Sequence, residues 1–173
     1  PKELVDNEIE NELTLIRRAR FFRGFSAIEH TIRLAEKLQH GELEGGSDTV
    51  KCRALAWCAR LLAVSKYGTK SSELLGLAIQ LGDEPEVTLA EAFLLSSDRK
   101  CEEALGKISK MESPISRSAA FIIVANNKDS ASAIEWISKS GLTFSDLDAD
   151  GKYVFIIKHI ELNRWESALE CAN

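Results

Sequence analysis

The sequence is poor in residues that interrupt helices and in those that build disulfides or metal sites. Only three prolines occur in 173 residues, Pro1, Pro85 and Pro114, and the two internal ones fall between periodic segments. Proline removes a backbone donor and clashes with the preceding turn, so this placement leaves long stretches free to run as helix. Sustained apolar–polar alternation is missing, which leaves strands without support. The four cysteines, Cys52, Cys58, Cys101 and Cys171, are scattered with no CxxC pair, so nothing resembles a disulfide framework. The three histidines, His30, His40 and His159, have no neighbouring cysteine or paired carboxylate at metal-ligand spacing. Neither a metal nor a cofactor is expected. The longest apolar run, 119–125, is far short of the roughly 20 residues that a membrane span requires. With no charged-then-apolar leader at its start, the chain is expected in a reducing, cytoplasmic setting, its thiols acting as small buried hydrophobes. It opens on Pro1 rather than Met and stops at Asn173 just after an apolar segment, and is expected to be a piece of something longer.

What remains is the composition of an ordinary soluble fold, 45% hydrophobic and 28% charged. The formal charge of −5 argues against a general nucleic-acid binder, which carries a dense basic surface. The periodicity predicts about ten helices and an all-α fold. The first two run over about 2–22 and 26–39, followed by a glycine-rich connector, 40–47. Asp48 is expected to cap the next helix, whose apolar face repeats through Val50, Ala54, Trp57, Leu61 and Leu62. A helix over 69–81 follows, then shorter pairs: 86–96 with 98–110, 115–127 with 129–139, and 149–162 with 164–172. Asp98, Ser116 and Asp129 are the expected caps among these, each offering an oxygen to first-turn amides.

Five segments share a short signature. They are Ser26-Ala27-Ile28-Glu29, Glu73-Leu74-Leu75-Gly76, Glu103-Ala104-Leu105-Gly106, Ser132-Ala133-Ile134-Glu135 and Ser167-Ala168-Leu169-Glu170. Their second residues are 47, 30, 29 and 35 positions apart, and each lies in the second helix of an expected pair. Three are preceded, one helix earlier, by Phe93-Leu94-Leu95, Phe121-Ile122-Ile123 and Phe155-Ile156-Ile157. A small residue early in the second helix lets it approach the first, and stacked hairpins bury the faces that one hairpin leaves open.

Here the chain resembles the tetratricopeptide-repeat family. Asn163-Arg164-Trp165-Glu166-Ser167-Ala168-Leu169-Glu170 is similar to that family's turn into its second helix. Arg23-Gly24-Phe25-Ser26-Ala27-Ile28-Glu29 is a looser version, and Glu103-Ala104-Leu105 followed by Pro114 echoes its repeat-ending proline. The repeats are degenerate, since bulky residues such as Ile156 replace the family's small residue in the first helix. The resemblance implies one right-handed α-solenoid domain over 1–173, built of about five antiparallel hairpins. Their expected ranges are 2–39, 48–82, 86–112, 115–141 and 148–173. It also implies a concave ligand surface on the first helices of the pairs, which points to Arg53, Arg60, Arg117 and Lys158.

Three local constellations bear on chemistry. Arg53, Trp57 and Arg60 recur at offsets of four and seven, one helical stripe that reads either as a core tryptophan with arginines snorkelling around it or as a site for an acidic or C-terminal peptide group. Arg17, Arg18, Arg20 and Arg23 crowd the end of the first helix and Glu3, Asp6, Glu8, Glu10 and Glu12 its start, which suits the helix dipole at both ends. Asp146, Asp148, Asp150 and Gly151 have the spacing of a calcium loop, but Ile157 stands where its bidentate glutamate belongs. No catalytic constellation is visible. The expected function is therefore a non-enzymatic module that binds a protein or peptide partner, with Arg53, Trp57, Arg60, Arg117 and Lys158 as the binding residues. A regulatory segment of a larger enzyme or transcription regulator, and an RNA-binding helical repeat, are the alternatives. The apolar terminal segment 165–171 is an expected point of self-association.

Overall fold

The structure, a computed structural model, describes residues 2–22, 24–63, 67–111 and 113–172, without the side chains of 19–22, 24–26, 171 and 172. The described residues form ten helices, one short 3-10 turn and no strand. The helices are α1 (Lys2–Phe22), α2 (Gly24–Gln39), α3 (Asp48–Ala63), α4 (Gly68–Leu81), α5 (Pro85–Ser97), α6 (Cys101–Ile108), α7 (Pro114–Asn127), α8 (Ser130–Lys139), α9 (Ala149–Glu161) and α10 (Trp165–Ala172). The 3-10 turn, Phe144–Asp146, precedes α9. Within the units, α1 with α2, α3 with α4, α7 with α8 and α9 with α10 pair as antiparallel hairpins. The chain divides into two compact units, 1–97 and 98–173, and the division falls inside the range 86–112 read from sequence as the third repeat.

One packing rule governs both units. In the first, α3 packs on both α1 and α5, while α2 sits against α1 and α3, and α4 against α3 and α5. In the second, α7 packs on α9, and α8 sits against both. Within each unit odd-numbered helices therefore touch their odd-numbered neighbours, and α2, α4 and α8 fill the gaps between them, while α6 packs on α7 and α10 on α9. The second residue of every signature is buried: Ala27, Leu74, Ala104, Ala133 and Ala168. Each of the four alanines is the fourth residue of its helix, so the close approach recurs at the same height.

In the first unit the core gathers around α3. Its Cys52, Ala54, Ala56, Cys58, Ala59 and Ala63 are all buried, together with Leu55 and Leu62. These small side chains let four helices close on one axis. Ile9, Leu13 and Ile16 of α1, Leu34 of α2, Leu74 of α4 and Val87 of α5 complete the cluster. Two side chains tie α3 to α4 through backbone carbonyls: Ser71 Oγ donates to Ala59 O at 2.7 Å, and Cys52 Sγ to Ala78 O at 3.2 Å. The connector 40–47 is docked rather than loose. Leu43 is buried, Gly46 lies so close to α1 that a Cβ there would meet Ile9 Cδ1 at 3.1 Å, and Ser47 N donates to Asp6 Oδ1 at 2.6 Å.

The second unit packs Phe121, Val124 and Ala125 of α7 against Ala133 and Ile137 of α8 and Leu147. The run 119–125 is a turn-by-turn part of α7, as its flanks predict. Backbone approach is tightest between α7 and the start of α9. There Ser118 Oγ accepts from Asp148 N at 2.7 Å, and a Cβ on Gly151 would meet Ser118 Oγ at 2.6 Å.

Helix caps follow the expected residue types but shift in position. Asp129 caps α8 by accepting from Ser132 N at 2.9 Å, as expected. For α7 the cap is Ser113, with Ser116 closing a reciprocal box and Pro114 at the first helical position. For α3 it is Ser47 Oγ that accepts from Val50 N, at 3.3 Å, while Asp48 pairs with Lys51 at 3.0 Å. Asp98 caps nothing, because α6 begins only at Cys101, after a turn in which Arg99 takes a positive φ of 65°. The end of α9 is a Schellman motif: Arg164 N donates to His159 O and Asn163 N to Ile160 O, both at 2.9 Å, with Asn163 at φ 56°.

Two substitutions test this packing. Gly151→Ala forces α9 off Ser118 and is expected to destabilise the second unit by about 1–3 kcal/mol in chemical denaturation. Ser71→Ala removes a buried bond to the Ala59 carbonyl and is expected to cost about 1 kcal/mol by the same measurement.

Candidate partner-binding face

The three residues of the predicted stripe lie together on α3, at the seam where it meets α1 and α5. Arg53 spans that seam: its Nη1 is 3.8 Å from Glu10 Oε1 of α1 and its Nε 3.4 Å from Glu86 Oε1 of α5. All three side chains are partly exposed, so this layer adds orientation more than stability. One to two turns further along, Arg17 of α1 places its guanidinium 4.8 Å from the centre of the Trp57 ring. Arg60 lies 5.1 Å from the same ring and 4.5 Å from the Phe93 ring of α5. Arg17, Trp57, Arg60 and Phe93 thus form one cation–aromatic stack across three odd-numbered helices, an arrangement favourable by about 0.5–2 kcal/mol per desolvated contact.

The members of the stack differ in access. Arg60 is 5% exposed, so its cation holds Trp57 and Phe93 in place from within. Trp57 is half-buried and Arg53 open at its edge, which leaves an indole and a guanidinium on the surface. The Nε of Arg17 is buried with no hydrogen-bond partner and rests on the indole.

Arg17, Phe93, Glu10 and Glu86 were not anticipated as members of this face. A sequence signal for them exists: Glu10 and Arg17, Arg53 and Arg60, and Glu86 and Phe93 are each seven residues apart. Two turns of helix therefore separate an ion-pair layer from a stacking layer on all three helices at once. Of the other arginines grouped with Arg17, the side chains of Arg20 and Arg23 lie outside the described residues.

Arg117 and Lys158 belong to the second unit, on α7 and α9. Arg117 Nη1 is 3.8 Å from Asp146 Oδ1, and Lys158 Nζ is 2.9 Å from Glu161 Oε2, which also accepts from Ser130 Oγ. Each cation thus has a carboxylate of its own beside it. The acidic loop is organised around helix starts. Asp146 Oδ2 accepts from Thr143 N and Oγ1, both at 2.7 Å, and these bonds hold its carboxyl below the usual range. Asp148 Oδ1 caps α9 through Gly151 N at 2.9 Å. Among the described residues no three His, Cys, Asp or Glu side chains gather in a way that would hold a metal ion.

Burial pushes the Cys58 thiol up to about 12 and raises those of Cys52 and Cys101, so thiolate is scarce at neutral pH. His159 is buried against the Phe155 ring, 4.5 Å between centres, and both its nitrogens lack a hydrogen-bond partner. Burial, with Arg164 nearby, lowers its pKa.

No family model, no curated protein and no solved structure matches this chain. None of the helices of the described residues is long and apolar enough to cross a membrane. The described residues define an all-α protein built of antiparallel helical hairpins, with a cation–aromatic seam in its first unit at which Trp57 is half-buried and Arg53 partly exposed.

His159 gives the second unit a directional pH response. Below about 6.5 the unfolded imidazole binds a proton that the folded one resists, so stability is full above that value and falls as the pH drops toward the lowered folded pKa. Thermal unfolding followed from about pH 7.5 to 5.5 is expected to show this fall, and His159→Phe to flatten it. The carboxylates with lowered pKa titrate well below this window and leave it unaffected.

Proposed function

We propose that the chain is a non-enzymatic interaction module, a tetratricopeptide-like right-handed solenoid that binds a peptide or partner domain on its odd-numbered helices. The reading rests above all on the half-buried Trp57 and on Arg53 at its edge, which reach the surface where neighbouring odd helices meet, with the buried Arg60 and Phe93 stacked behind the indole. A rigid scaffold presenting such a surface suits an acidic side chain or a terminal carboxylate, with the indole covering apolar parts of the ligand. Arg53 borders the same surface and would steer the acidic group. Arg117 and Lys158 extend the reading to the odd helices of the second unit.

The non-enzymatic part of the proposal is supported by the state of the groups that catalysis would need. The described thiols are held protonated, and His159 has no partner through which to act as a base. The cytoplasmic setting belongs to the same proposal and is supported by free, buried thiols at Cys52 and Cys58.

Affinity capture from a cell extract with the wild-type chain, Arg17→Ala and Arg53→Ala tests the reading. The wild type is expected to retain at least one protein that each variant recovers about tenfold less well, with unchanged helix content by circular dichroism. Recovery of the same proteins in the same amounts by all three forms would remove this face from consideration.

A further inference from the structure

The seam of the first unit carries opposite charge at its two levels. At the first, Glu10 and Glu86 lie 3.8 and 3.4 Å from the Arg53 guanidinium, so two carboxylates face one cation, and all three side chains are partly exposed. Seven residues further along each helix stand Arg17, Phe93 and Arg60. Arg17 is half-buried, rests 4.8 Å from the centre of the Trp57 ring, and has no carboxylate at ion-pair distance among the described residues. Its Nε is buried without a hydrogen-bond partner. Trp57 lies between the two levels, four residues beyond Arg53, and is half-buried. The surface therefore runs from a negative pole across an indole to a positive one. Both poles lie along α3, which has an odd-numbered neighbour on each side, so the seam is flanked by helices of this chain.

The dimensions of the seam restrict what can lie on it. Seven helical residues span about 10.5 Å, and four span about 6 Å. The carboxylates of α1 and α5 reach the same guanidinium, so the cleft above α3 is narrower than the roughly 10–12 Å that a helix with its side chains fills. An extended chain fits that width. A β-strand returns a side chain to one face every second residue, at about 6.6 and then about 13 Å, and misses the spacing of the poles. A polyproline II helix returns one every third residue, at about 9 Å, and meets both poles. The residue between them that lies about 6 Å along falls over Trp57, and an exposed indole edge is a surface on which proline docks.

We infer that the occupant of this seam is a polyproline II segment of another protein, with a basic and an acidic residue three positions apart and proline between them. The inference rests on the reading of this face as a partner-binding surface and names the ligand. The basic residue sits between Glu10 and Glu86, the proline on Trp57 and the acidic residue at Arg17. Arg53 keeps the two carboxylates in place, and because they outnumber it the acidic group is turned toward Arg17. The buried Arg60 and Phe93 back the indole, so the proline meets a fixed ring. A ligand carrying an acidic group alone would cover Glu10 and Glu86 without pairing them, and desolvation of those carboxylates would lower its affinity.

The probes are synthetic peptides of about ten residues centred on lysine-proline-proline-glutamate, a twin with glutamine for the lysine, and a twin with glutamine for the glutamate. A fourth is a helix-forming peptide with lysine and glutamate seven residues apart. Each is titrated into the isotopically labelled chain while the Trp57 indole resonance is followed, assigned by its loss in Trp57→Phe. The doubly charged proline peptide is expected to shift that resonance and to bind about tenfold more tightly than the other three. Glu10→Gln with Glu86→Gln is expected to abolish its advantage over the twin that lacks lysine, and Arg17→Gln its advantage over the twin that lacks glutamate, with helix content retained. Equal binding by the lysine-free twin overturns the inference, as do tighter binding by the helical peptide and failure of every peptide to shift the resonance. The underlying reading is decided separately, by whether Arg17→Ala loses the proteins that the wild type captures.

Discussion

The packing of four helices on α3 is the constraint on which the first unit depends. Where α3 meets α1, α2, α4 and α5 closely its side chains are mostly small, and Cys52, Ala54, Ala56, Cys58, Ala59 and Ala63 are all buried. Such close approach brings backbone carbonyls within reach of neighbouring side chains. Ser71 and Cys52 use this to bond across the α3–α4 pair, meeting the requirement that buried polar groups be partnered. It also brings α1 and α5 near enough for Arg53 to touch carboxylates on both. The exposed seam is thus a consequence of the small residues beneath it.

The two units solve the junction between odd-numbered helices differently. In the second, Phe121 and Phe155 meet at 6.1 Å between ring centres, and Phe144 and His159 extend the aromatic group. That junction is built of rings, with Lys152 Nζ 5.4 Å from the centre of the Phe144 ring at its edge. In the first, guanidiniums alternate with rings, from Arg17 to Trp57 to Arg60 to Phe93. A guanidinium is planar and weakly hydrated, so it packs like a ring while bringing positive charge to the seam. The same repeat geometry supports an aromatic junction in one unit and an alternation of cations and rings in the other.

Legibility from sequence varied with the range of the interaction. Helix bounds were close because proline placement and apolar period act within a few residues. The signature alanines were legible because a helix must be small wherever it crosses its neighbour closely. Caps were less so: Ser113 and Ser116, or Ser47 and Asp48, are equally able acceptors, and only the path of the incoming chain selects between them. The connector 40–47 reads as a linker by composition. Its docking depends on Asp6, Val5 and Ile9, some forty residues earlier. The stripe of Arg53, Trp57 and Arg60 was visible because all three lie on one helix. Arg17, Phe93, Glu10 and Glu86 were not, since each reaches the stripe only across a helix–helix junction.

The sequence by itself determined that the chain is all-α, where its helices run and which small residues lie at their crossings, because propensity, period and capping are local properties. Tertiary structure decided which odd-numbered helix stands beside which, and therefore that Arg60 is an enclosed support whereas Trp57 and Arg53 reach the surface. It also decided that Ala168 is buried while Trp165 and Leu169 on the same helix are exposed. Burial of a side chain depends on what is packed against it from elsewhere in the chain, and no local pattern carries that information.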